Sequence, residues 1–189
     1  PVAFVFQTTR RASETTLGGN QPLFKFVHLS GAHVPFQLDA DLQWRDAGYR
    51  EQAEGSLLAV SHFLDALKTA GVYEDTLIFI LGDHGNGAPM GYSNFPLASH
   101  AQALLLAKRP GQAFDTLQRS SARVTIGDLP RTIATEAGLD SDFAGYSLFG
   151  DIPSDRQRAF YYYPWDTTYW SSEYLSIFYR FHIDGPANA

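Results

Sequence analysis

Thr76-Leu77-Ile78-Phe79-Ile80-Leu81-Gly82-Asp83-His84-Gly85 is the stretch on which the reading of this chain turns. Its first six residues are apolar or β-branched without a charged interruption, the composition of a strand buried on both faces. Gly82 ends the run. The acid and the imidazole that follow stand just past the strand's carboxyl end, where open α/β sheets bind their ligands. Inside a strand, adjacent side chains point to opposite faces. A turn bracketed by Gly82 and Gly85 instead lets Asp83 and His84 aim at one point. A carboxylate oxygen beside an imidazole nitrogen suits zinc or manganese, so the pair reads as half of a metal site. The competing reading is a strand-end turn in which Asp83 only caps the segment that follows.

Outward from this stretch, the pattern alternates. From Tyr49, apolar residues at Ala53, Leu57, Val60, Leu64 and Leu67 recur every three or four positions, which predicts an amphipathic helix stopped at Gly71. Val2 to Phe6 and Leu23 to Leu29 read as strands, separated by a polar loop through Gln21. Beyond the tetrad, Gly85 to Ser99 is a loop with breakers at Gly87, Pro89, Gly91 and Pro96. Gln102 to Ala107 is a short strand closed by Pro110-Gly111. Asp128 reads as the N-cap of a helix with Pro130 near its start, running to Ala137 and stopping at Gly138. Strands alternating with helices predict an α/β fold: a mostly parallel sheet flanked by helices. The tail differs, because Arg158 to Tyr163 and Tyr174 to Ile183 are aromatic and β-prone. They predict an antiparallel aromatic hairpin at the C-terminus.

A chain of 189 residues has room for a single domain with a sizeable core. The formal charge of −6, with 14 scattered Lys and Arg, excludes the basic face that nucleic acid demands. Zero cysteines exclude disulfides, thiolate metal sites and a cysteine nucleophile. No apolar stretch approaches the roughly 20 residues that span a bilayer, and no secretory leader pattern is visible. A serine α/β-hydrolase is disfavoured because the Gly-x-Ser-x-Gly elbow does not occur.

Several motifs in order give the chain a likeness. His28-Leu29-Ser30-Gly31-Ala32-His33-Val34-Pro35 resembles a strand followed by His-x-Pro. After the long helix comes Asp75-Thr76-Leu77-Ile78 and the Gly-Asp-His-Gly tetrad. Leu104-Leu105-Leu106-Ala107-Lys108-Arg109-Pro110 and Val124-Thr125-Ile126-Gly127-Asp128-Leu129-Pro130 complete the series. In this arrangement the chain resembles the alkaline phosphatase superfamily, in its sulfatase and phosphoethanolamine or phosphoglycerol transferase branch. The likeness covers about residues 23 to 150, and residues 151 to 189 form a β extension.

The resemblance implies an alkaline phosphatase-like fold and a metal-dependent hydrolase or phosphotransferase acting on a phosphate or sulfate ester. Asp83 and His84 match two ligands of the family's divalent metal: zinc or manganese first, magnesium or calcium as alternatives. His33 matches a histidine that contacts the transferred group or the leaving group. His100 stands where relatives place another active-site residue, and Lys108 is a weaker candidate. The resemblance also implies the periplasmic or extracytoplasmic face of a membrane-anchored parent, with any membrane contact made by segments outside this chain. Two departures bear on this. The family's nucleophile is a Thr, Ser or modified Cys well upstream of His-x-Pro. Thr8, Thr9, Ser13, Thr15 and Thr16 match it by residue type only, so the expectation is a C-terminal portion of a larger domain, inactive by itself. Asn86-Gly87 also replaces the Glu-Ser that follows the tetrad in phosphoethanolamine transferases.

Two protein ligands are fewer than the four of a structural zinc. A segment outside this chain, or carboxylates such as Asp39, Asp41 or Asp128, would have to fold in to complete the set. The alternative function is a non-catalytic sulfatase-like module that binds an anionic ligand or a partner. His28, His62 and His182 read as structural, and the aromatic run Phe160-Tyr161-Tyr162-Tyr163 with Trp165 and Trp170 reads as sheet core.

Overall fold

The computed structural model describes residues 23–85, 98–112, 114–162 and 179–184. The predicted strand Val2 to Phe6, the candidate hydroxyl residues between Thr8 and Thr16, and most of the loop after Gly85 lie outside them. The chain divides into two compact units. One comprises Pro1–Thr76 with Pro110–Gln112, the other Leu77–Arg109 with Ala113–Ala189.

The first unit is organised by helix α1, Tyr49–Thr69. Its C-terminus is a Schellman closure: Gly71 N–H donates to Lys68 O at 2.9 Å and Val72 N–H to Leu67 O at 3.1 Å. Gly71 takes φ +70°, a conformation that an L side chain resists. At the other end, the Glu51 carboxylate accepts the Gly48 N–H at 2.9 Å. The most buried positions of α1 are Gln52, Gly55 and Ala59, whereas Leu57, expected on the apolar face, is half exposed. The reason is the loop that crosses there. A Cβ on Gly55 would run into the Asp39 carbonyl, so only glycine lets the loop backbone reach the helix.

That loop is built on two polar hubs. The Gln52 carboxamide accepts N–H groups from Gln37 and Leu38 at 2.7 and 3.1 Å. It donates to the carbonyls of Gly31 and His33 at 3.0 and 2.7 Å. The buried Asp39 carboxylate accepts from the N–H groups of Asp41 and Gln43 and from Arg45 Nε. Leu23 to Leu29, expected as a buried strand, joins no ladder among the described residues, and Phe24 and Phe26 are 70% and 78% exposed. Strand formation follows partner contacts more than the residue's own preference, and these residues pair with none of the described ones.

In the second unit, β1 (Ile78–Leu81) pairs with β2 (Leu105–Lys108), Ile78 opposite Lys108 and Leu81 opposite Leu105. A single helical turn, α2 (Ala98–Ala101), precedes β2. A 3-10 turn at Ile126–Asp128 runs into α3, Leu129–Glu136. Gly138, at φ +67°, closes α3 by the same two-bond pattern as Gly71 closes α1. Strands β3 (Arg158–Tyr162) and β4 (Tyr179–Ile183) form the aromatic ribbon expected of the tail.

Both ladders are antiparallel, and a parallel ladder is not among the described residues. The chain leaves β1 through Gly82–Gly85 and returns along the same flank through His100–Leu104, so β2 must run opposite to β1. Phe79 of β1 stacks on Phe149 with centroids 6.3 Å apart. Arg109 covers the same Phe149 ring at 5.1 Å and pairs with Glu136 of α3 at 2.8 Å. No helix among the described residues is long and apolar enough to cross a membrane.

Candidate metal and catalytic site

The β1–β2 ladder continues past the regular strands and thereby builds the site. Gly82 N–H donates to Leu104 O at 3.0 Å, and Gly85 N–H to His100 O at 2.9 Å. These two bonds bracket Asp83 and His84 and bring the distant His100 beside them. A Cβ on Gly82 would press on the His84 carbonyl at 3.2 Å, so the turn is tight where the acid and the imidazole emerge.

Asp83 and His84 reach solvent together, with side chains 90% and 56% exposed, and Asp83 Oδ2 lies 3.7 Å from His84 Nε2. Asp83 Oδ1 accepts the N–H of His84 at 3.0 Å, fixing the carboxylate against the turn. His84 Nδ1 lies 2.7 Å from the Gly85 carbonyl oxygen. A carbonyl only accepts, so Nδ1 is the donor in this contact and Nε2 is the ring nitrogen on the carboxylate side. A backbone carbonyl behind Nδ1 is the kind of support found behind histidines that bind metal through Nε2. Asp83 Oδ2 and His84 Nε2 are donors of the type that would hold a divalent cation. Among the described residues, no group of three or more His, Asp or Glu side chains converges as a fuller ligand set would.

Two of the other carboxylates considered from sequence, Asp39 and Asp128, are committed elsewhere. Asp39 belongs to the Arg45 hub of the first unit. Asp128 is 1% exposed and receives Arg156 on both oxygens, the N–H of Tyr146 on Oδ1, and the N–H of Thr125 on Oδ2. Burial pushes its carboxyl up, but Arg156 and the two N–H groups outweigh that and hold it below the usual range. Asp128 stands at the N-cap position of α3 as expected, but its side chain closes the 3-10 turn and makes no cap hydrogen bond to the helix. Arg156 lies in a segment with no helical or strand signal, which left this pairing invisible in the sequence.

His100 sits on α2. Its ring lies parallel to that of His84 within 6°, centroids 5.2 Å apart. The edge-on neighbour of His100 is Tyr162 of β3, at 6.4 Å and 84°. Sequence reasoning missed Tyr162 because an aromatic in a β-prone run reads as core. His33 belongs to the first unit, exposed in its loop, with Nδ1 2.5 Å from Val34 O and its own carbonyl held by Gln52. Lys108 lies on β2 and donates to Arg109 O at 3.2 Å.

The Sulfatase family model matches residues 7–139, well over half of the chain. No curated protein and no solved structure matches it. The family carries an alkaline phosphatase-like α/β fold and works on sulfate or phosphate esters, generally with a metal. The strand-end acid–imidazole pair lies inside the matched region, and the chain belongs to the sulfatase family, within the alkaline phosphatase superfamily.

Proposed function

We propose that this chain is the portion of a metal-dependent hydrolase or phosphotransferase that contributes two metal ligands and a substrate-contacting histidine. The observation that carries the reading is the approach of His84 Nε2 to Asp83 Oδ2 at 3.7 Å beyond the end of β1, with His84 Nδ1 turned to the Gly85 carbonyl. In this reading Asp83 and His84 grip a divalent cation, zinc or manganese by donor chemistry. That cation, when bound, polarises a phosphoryl or sulfuryl oxygen and lowers the pKa of the attacking group. His33, with its backbone carbonyl pinned to α1 by Gln52, would contact the transferred or leaving group of the ester. His100 completes the histidine pair at the ladder end.

In the family fold that this reading invokes the sheet is mostly parallel, and β1–β2 would supply an antiparallel edge of the kind common in such sheets. The nucleophile comes from a segment that these residues do not match. The parent faces the periplasm or another extracytoplasmic space, on the strength of family likeness.

Isothermal titration of the 189-residue chain with zinc and with manganese tests the reading. Saturable one-to-one binding, lost in Asp83→Asn and in His84→Ala, is expected. The chain alone should not turn over p-nitrophenyl phosphate or p-nitrophenyl sulfate. Absence of metal binding, even with the parent's upstream region restored, would leave the non-catalytic module as the better account.

A further inference from the structure

We propose that Tyr162 and His100 are positioning residues for His84, so that the C-terminal aromatic ribbon sets the aim of the metal-gripping imidazole. The inference rests on the reading of Asp83 and His84 as a metal grip and extends it to His100 and to Tyr162, the latter outside the family-matched region.

His84 stands on a glycine-flanked turn with more than half its side chain in solvent. One hydrogen bond, Nδ1 to Gly85 O, constrains the ring edge but not the plane about that contact. The plane is set by His100, whose ring lies parallel within 6° at 5.2 Å. His100 is itself held in two ways. Its carbonyl accepts the Gly85 N–H at 2.9 Å, and its ring lies in a T-shaped contact with that of Tyr162 at 84° and 6.4 Å. Tyr162 is locked in the β3–β4 ladder opposite Tyr179. Offset stacking and edge-to-face contact are the two favoured aromatic arrangements. The series from ribbon to Tyr162, to His100, to His84 uses one of each. In this array His100 works through its ring face, and its nitrogens are not required.

The role separates from ligation by substitution. Phenylalanine at 100 or 162 preserves the ring and removes the heteroatoms; alanine removes the ring. Two readouts on the 189-residue chain apply: zinc affinity by competition with a chromophoric chelator, and the His84 tautomer in metal-free protein by nitrogen-15 NMR at mildly alkaline pH. His100→Ala and Tyr162→Ala are expected to weaken zinc binding roughly 10- to 100-fold, as loss of an outer-shell partner does, while His100→Phe and Tyr162→Phe stay within about threefold of the parent. The alanine variants should also lose the single Nδ1–H form of His84.

Equal losses in His100→Phe and His100→Ala would overturn the proposal and make His100 a ligand through its nitrogen. An unchanged affinity and tautomer in Tyr162→Ala would overturn the part of the ribbon. Should Tyr162→Ala fail to fold by circular dichroism, the His100 pair decides alone. Failure of the parent to bind zinc would sink the metal reading, and the tautomer would then judge the positioning by itself.

Discussion

Arg156 grips Asp128 with both terminal nitrogens, Nη1 to Oδ2 at 2.7 Å and Nη2 to Oδ1 at 2.8 Å, where Asp128 is almost completely enclosed. The same carboxylate ties the Thr125 turn and the Tyr146 backbone, so three separate segments meet on one side chain. Gly145 makes room for it, at φ +101°, because a Cβ there would crowd Asp128 Oδ1 at 2.5 Å. Removing one partner leaves the other charge buried, which costs about 3–5 kcal/mol. Asp128→Ala should lose that much in urea unfolding, and a double-mutant cycle with Arg156→Ala should show strong coupling. Zinc affinity should stay unchanged, since Asp128 is no metal ligand.

Acid should unfold the chain through its structural carboxylates. Asp128 is pushed up by burial but held below the ordinary range by Arg156, Tyr146 and Thr125. Asp39 is lowered by the Arg45 hydrogen bond and by the Gln43 and Asp41 N–H groups. A carboxyl whose folded pKa lies below its unfolded value contributes stability that is complete above the unfolded value, about 4. That contribution disappears as pH falls through the folded pKa. Stability should therefore hold from neutral pH down to about 5 and then decline. Asp128→Asn should be less stable at neutral pH and show a shallower acid limb; identical limbs for parent and variant would rule this out.

Gly55 presents a conflict between propensity and packing. Alanine in a helix interior normally gains about 1 kcal/mol over glycine. Here the added methyl meets the Asp39 carbonyl, and overpacking costs about 1–3 kcal/mol. Gly55→Ala should lower the unfolding midpoint, where the same change in an open helix would raise it.

Gln52→Glu keeps the oxygens that accept from Gln37 and Leu38 but loses the donors to Gly31 and His33. Two carbonyls would then face a carboxylate. An unmet buried polar group costs about 1–3 kcal/mol, so a loss of that order or more is expected. Amide exchange should rise at residues 31–38 with α1 unchanged. Uniform exchange along the chain would show that Gln52 is not the latch.

Asp83→Ala and His84→Ala should behave oppositely to these core changes. Both side chains are largely in water, and surface substitutions shift stability by about 0.5 kcal/mol or less. Thermal midpoints should match the parent while metal binding is lost, the separation expected of a functional site.

The sequence by itself determined what depends on neighbours within a few positions. Apolar spacing marked α1, glycines at 71 and 138 marked both helix stops, and the unbroken Thr76–Leu81 run placed Asp83 and His84 past a strand end. Those features follow from backbone sterics and periodicity, which are local. Tertiary structure alone decided who meets whom across the chain. Leu23–Leu29 had a strand's composition but finds no ladder partner among the described residues, and β1 pairs antiparallel with β2. Asp128 takes the N-cap position that its sequence context predicts, but its carboxylate goes to Arg156, 28 positions away. Tyr162 reached the candidate site only because the β3–β4 ribbon carries it to His100. Ion pairs and ring contacts act over a few ångströms with no rule of sequence spacing, so folding, not composition, selects them.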